Sequence, residues 1–127
     1  MTPSVPAVLA ELANVAMRYA DPAAPPAERA SNLMLTAALL NLAAEVFDGA
    51  AARLVDENRS LRQLLGVEGA DYDLRVSALK SANHVLRAQL IEAHAAAEAA
   101  DDQARQDAIW AELKASTERR KLSVSLV

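Results

Sequence analysis

The chain has 127 residues, 30 of them Ala and 18 Leu, and with Glu, Lys and Arg these five types account for 70 positions, a composition that belongs to long helices. Three Gly and five Pro supply too little turn chemistry for a sandwich or barrel, so an all-β fold is excluded. The absence of Cys removes disulfides, thiol nucleophiles and thiolate metal sites, while a net charge of −4 with one Trp, two Tyr and one Phe argues against nucleic acid as a partner.

The first segment, MTPSVPAVLAELAN, has no Lys or Arg ahead of its apolar part and carries Glu11 within it, so it reads as neither a secretory signal nor a transit peptide. A cytoplasmic setting follows. The first helix is expected from about Ser4 to Tyr19, with Pro6 in its first turn and Val8, Leu12, Val15 and Tyr19 as its apolar stripe. The segment DPAAPP at 21–26 ends it, because proline disfavours helix at the residue before it.

From Ala30 onward a seven-residue repeat places Leu33, Leu40, Phe47, Leu54 and Leu61 at one position and Ala30, Ala37, Ala44, Ala51, Asn58 and Leu65 at another. The spacing predicts a second helix ending at Leu65, with Gly66 in the left-handed position that terminates it. Asp48-Gly49 is its weak point, where a kink or break is expected if anywhere. Residues 33–47 are apolar on nearly every face, the pattern of a central buried helix. This run of fifteen residues, interrupted by Thr36, Asn41 and Glu45, is too short and too polar to span a bilayer, so no membrane partner is expected.

A third helix, capped by Asp71 or Asp73, carries Val76, Leu79, Asn83, Leu86, Leu90, Ala93, Ala97 and Ala100 at 3,4 spacing. Laid antiparallel to the second about a turn near residue 70, it pairs positions whose numbers sum to about 140: Leu65 with Val76, Leu61 with Leu79, Leu54 with Leu86, and Asn58 with Asn83. A buried amide pair penalises slipped registers, so Asn58 and Asn83 are read as the register-setting pair. The fourth helix is expected from Asp101 or Asp102 to Lys121, its charge order matching the helix dipole, although one helix from Asp73 to Lys121 is the alternative. Residues 122–127, LSVSLV, form a tail that is extended or disordered, outside a single helical domain of residues 1–121.

Motifs for chemistry are sparse. His84 and His94 lie on one helix about 15 Å apart, too far for one metal site, and the ordinary reading is two surface histidines, His84 near Glu57. No G-x-S-x-G, phosphate loop or H-E-x-x-H occurs, so the chain is read as no enzyme, with no cofactor. Arg53, Arg59 and Arg62 form a basic strip able to clamp an anion. Interleaved Asp56 and Glu57 make a solvated, salt-bridged face the simpler account. Arg119, Arg120 and Lys121 are candidate contacts for an acidic partner, and Asn41, within the apolar half of the second helix, is expected to meet a ligand or a protein. The segment LVDENRSLRQLL resembles a parallel leucine zipper, but Ala50, Ala51 and Ala52 stand where a basic region would be. Upstream, the repeating Ala favours close antiparallel packing.

The sequence therefore predicts an all-α four-helix bundle built on a long antiparallel helical hairpin and assembled as a homodimer. The expected function is that of a non-enzymatic helical interaction protein, working through its own dimer or a partner subunit. The alternatives are a bundle holding a small ligand near Asn41, Asn58 and Asn83, or an accessory subunit of an enzyme encoded elsewhere.

Overall fold

The computed structural model describes residues 4–123. It is all-helical, with α1 (Val5–Tyr19), α2 (Pro26–Leu65), α3 (Val76–Ala99) and α4 (Gln103–Arg119) and no strand among the described residues. Contacts divide the chain into two compact units, Met1–Asp48 with Leu122–Val127, and Gly49–Lys121. α2 gives its first half to one and its second half to the other.

In the first unit α1 starts where proline tolerates a helix start. Its covered stripe is the expected one: Leu12 is buried, and Val8, Val15 and Tyr19 are half-buried. After α1 the Asp21 carboxylate accepts the Ala23 amide at 2.9 Å, and Arg29 Nη2 donates to the carbonyls of Asp21 (2.8 Å) and Ala24 (3.4 Å). These bonds hold the Pro-rich turn against the first turn of α2. Here the helix begins at Pro26, four residues ahead of the heptad pattern.

The covered face of this half of α2 runs through Asn32, Thr36, Leu39, Leu42, Ala43 and Val46. The heptad stripe lies beside it and is bare: Ala30, Leu33, Ala37, Leu40, Ala44 and Phe47 are all exposed. Residues 33–47 are thus not the central buried helix that their composition suggested. In the first unit only this one face of α2 is covered, and the others are left to solvent. By length and composition α2 also meets the requirement for crossing a membrane, with an 18-residue window of mean hydropathy 1.4 that is 11% buried. The apolar run from Leu33 to Phe47 is by itself shorter than that window. At the end of the chain, Ser123 donates from its amide (2.6 Å) and hydroxyl (2.9 Å) to the Glu45 carboxylate. The rest of the tail, Val124–Val127, lies outside the described residues.

Gly49 does not break α2. The helix ends in the second unit with Gly66 at φ +68° and the Val67 amide reaching back to Arg62 O at 3.0 Å, the six-to-one bond of a Schellman ending. Residues 66–75 then fold back along α2. Gly69, at φ +132°, approaches the Arg62 guanidinium, and Asp71 accepts from Arg62 Nη2 at 2.7 Å and from Asn58 Nδ2 at 3.2 Å. The chain has thereby retreated two helical turns before α3 begins.

This retreat reverses the expected direction of α3. Asn83, 25 residues beyond Asn58, donates to it, and the buried cluster contains Leu61 with Leu86, also 25 apart, together with Leu90 and Ile109, with Leu64, Leu65 and Leu113 packed against it. A constant difference, rather than a constant sum, describes side-by-side helices running the same way. The second half of α2 and α3 are accordingly parallel, and the antiparallel hairpin is corrected. The physical reason is the connection: ten extended residues reach ~33 Å, enough to return along α2, whereas a short hairpin turn would force reversal.

α3 starts at Val76 with Arg75 at its N-cap and no side-chain cap. Asp73 instead accepts the Arg75 amide at 3.1 Å, and Asp71 is taken by α2. The α3–α4 turn is built by two aspartates. Asp101 adopts φ +52°, the Asp102 amide reaches Ala97 O at 2.9 Å, and the Asp102 carboxylate caps α4 by accepting the Arg105 amide at 3.0 Å. α4 returns antiparallel to α3, with Gln106 donating to Ala97 O near the turn and Arg87 to Ser116 at the far end.

Candidate functional site

The densest polar constellation is in the second unit and centres on Glu57, 1% exposed. Its Oε1 accepts from Asn83 Nδ2 (3.0 Å), Arg87 Nε (2.9 Å), Arg87 Nη2 and Arg120 Nη2 (3.0 Å). Its Oε2 accepts from Ser116 Oγ (3.0 Å). α2 supplies the carboxylate, α3 the amide and one guanidinium, and α4 the hydroxyl and the second guanidinium. From Asn83 the network continues through Asn58 Oδ1 (3.0 Å). Asn58 Nδ2 then donates to Leu79 O and to Asp71, which also holds Arg62.

Burial works to raise the Glu57 carboxyl, but the hydrogen bonds from Asn83 and Arg87 and the charges of Arg87 and Arg120 outweigh it and hold the group below its ordinary value. Asp71 is likewise lowered, chiefly by its hydrogen bond from Arg62, against burial and with help from Asn58. A carboxylate with both oxygens occupied and its proton affinity depressed is a poor general base. What the cluster does well is fix three helices and a loop around one buried charge.

This constellation was only half visible in the sequence. Asn58 and Asn83 do meet, both buried. Glu57 belongs to the buried network rather than to a solvated face, because it lies beside Asn58 on the side of α2 that α3 and α4 cover; of the expected surface pairs only Arg59–Asp56 forms, at 3.2 Å. The missed members are Arg87 and Ser116. Arg87 follows Asn83 by one helical turn, a polar residue just beside the apolar stripe, and that was its one signal.

The other sequence candidates are scattered. Arg62 is bound to Asp71, while Arg53 is half-buried. The three arginines therefore form no shared anion clamp, although Arg59 and Arg62 border an open groove of about 610 Å³ between α2 and the returning loop. Arg119 is paired with Glu112 (2.7 Å) and Ser60 (3.1 Å), Arg120 with Glu57, and Lys121 with Glu118 (2.7 Å). Asn41 is exposed in the first unit, whereas Asn58 and Asn83 belong to the second. His84 is exposed, with Asn83 and Arg87 at Glu57 in its place. His94 packs edge-on against Trp110, with ring centroids 5.7 Å apart. Among the described residues no three His, Asp or Glu side chains gather to hold a metal.

The second notable surface is the bare stripe of the first unit. Leu33, Leu40 and Phe47 on it are 53, 45 and 68% exposed, and Met34 and Leu35, on other faces of α2, are 75 and 57% exposed, a concentration that soluble monomers avoid unless it serves contact. No protein-family model, no curated protein and no solved structure matches the chain.

Proposed function

We propose that the chain is a non-enzymatic helical interaction module acting through self-association in a cytoplasmic setting, the dimer completing a helix bundle around α2. The observation that carries this reading is the exposed apolar half of α2, where five large apolar side chains face solvent beside a seven-residue repeat. The Glu57 network supports it from the other side: the richest cluster of ionisable groups is consumed in holding helices together and leaves no free acid–base pair. Native mass spectrometry of the unmodified chain tests the reading, with a Leu40→Glu variant as control. A dimer that Leu40→Glu converts to monomer is expected. A monomer in both overturns the proposal, and an extra mass released only on denaturation replaces it with the ligand-binding alternative.

A further inference from the structure

We infer that the bare stripe of α2 is occupied by the same stripe of a second copy, running antiparallel, with the two-fold axis beside Leu40 and Asn41. This inference rests on the self-association reading and adds the partner, the surface and the orientation.

The first argument is shape. Along the exposed stripe the two heptad positions differ in size, Leu33, Leu40 and Phe47 at one and Ala30, Ala37 and Ala44 at the other. In a parallel pair each position meets its own kind, stacking Phe47 on Phe47 and leaving shallow Ala layers between. An antiparallel pair sets each large side chain against alanines of the other copy: Leu40 between Ala37 and Ala44, and Phe47 beside Ala37. The layers then fill evenly and the backbones approach closely.

The second argument is polarity and charge. Asn41 is exposed on the flank of the stripe. It follows Leu40 directly, so the two-fold brings both Asn41 amides to the same level, where each can donate to the other. A parallel pair would align Glu45 with Glu45 and Asp48 with Asp48, like charges at one level; the antiparallel pair sends these to opposite ends and also opposes the helix dipoles.

Area makes the third. Leu33, Leu40 and Phe47 at these exposures present on the order of 330 Å² of apolar surface, taking roughly 200 Å² for each when fully exposed. The interleaved alanines join them into one contiguous patch, of the size that on soluble proteins marks a contact surface.

The chain has no Cys, so introduced thiols report without background. Ala37→Cys and Ala44→Cys proteins are purified separately, mixed, and oxidised under native conditions, beside native mass spectrometry of each. Antiparallel packing gives a covalent dimer in the mixture that contains one chain of each kind, and none from either protein alone. A covalent dimer from each alone overturns the orientation while leaving self-association intact. A native dimer with no disulfide in any combination overturns the stripe as its interface. A monomer mass overturns the inference and the self-association reading together, and binding of that monomer to phosphatidylcholine vesicles would then identify a bilayer as the occupant.

Discussion

Asn83 Nδ2 donates to Asn58 Oδ1 at 3.0 Å with both residues buried, and this one bond is compatible with either direction of α3. The two numbers satisfy the antiparallel sum and the parallel difference equally. Direction is carried by the leucines around them, since Leu61 clusters with Leu86 and Leu90 rather than with Leu79.

The pair nevertheless has a measurable consequence. Asn58 gives its donors to Asp71 and Leu79 O and its acceptor to Asn83, so replacing either asparagine strands polar partners that water does not reach. Asn58→Leu and Asn83→Leu should each destabilise by about 1–3 kcal/mol. The double variant should be less destabilised than the sum, by ~0.5 kcal/mol or more. Urea unfolding of the four proteins checks this, and strict additivity would remove the amide pair as a unit of register.

The parallel course of α3 is open to a direct distance test. Gln63 on α2 is exposed, as are Ser77 in the first turn of α3 and Gln89 near its middle. Spin labels at 63 and 89 should lie closer than labels at 63 and 77, because the constant difference puts Gln89 level with Gln63. An antiparallel hairpin demands the reverse order in pulsed dipolar spectroscopy.

Helix number, the stops at Tyr19 and Leu65 and the Asn58–Asn83 contact were legible because each rests on local chemistry: proline, a left-handed glycine, a heptad. The direction of α3 was not. It depends on where residues 66–75 go, and that path is set by Asp71 reaching Arg62 and Asn58, a contact that periodicity does not encode. Burial of Glu57 was hidden for a related reason. A charged residue between Asp56 and Arg59 reads as surface until four donor side chains, Asn83 and Arg87 from α3 and Ser116 and Arg120 from the α4 segment, are known to converge on it. The exposure of the first half of α2 was not legible either, because an apolar pattern states that a face seeks cover and not whether the chain itself supplies it.

Gly49 offers the simplest stabilising change. The helix passes through it unbroken, a Cβ there would meet nothing within 4 Å, and glycine inside a helix costs about 1 kcal/mol relative to alanine. Gly49→Ala should therefore stabilise by up to ~1 kcal/mol, seen as a higher denaturant midpoint with unchanged slope. A loss of stability would show that α2 needs the freedom of glycine at this point.

The Glu57 cluster sets the acid stability of the second unit. A carboxyl held below its ordinary value in the folded chain binds fewer protons than in the unfolded chain, so it stabilises the fold above that value and loses its effect as pH falls. For Glu57 the loss begins near 4.5 and for Asp71 near 3.8, each continuing downward to the lowered folded value. Stability should be nearly flat above pH 6 and fall steadily below 4.5. Glu57→Gln keeps the shape and removes the charge, leaving Arg87 and Arg120 facing each other without their shared anion. Only the carboxylate is buried, while Arg87 and Arg120 are about one-third and nearly half exposed, so solvent screens the arginines left behind and the cost is that of the lost charged hydrogen bonds, about 1–3 kcal/mol. The variant should also show a shallower acid decline, since the Glu57 part is gone and only the smaller parts of Asp71 and Asp73 remain. Circular dichroism during urea titrations at pH 7, 5 and 3.5 reads both effects. An unchanged acid slope in Glu57→Gln would mean that the buried carboxylate is not what acid attacks first.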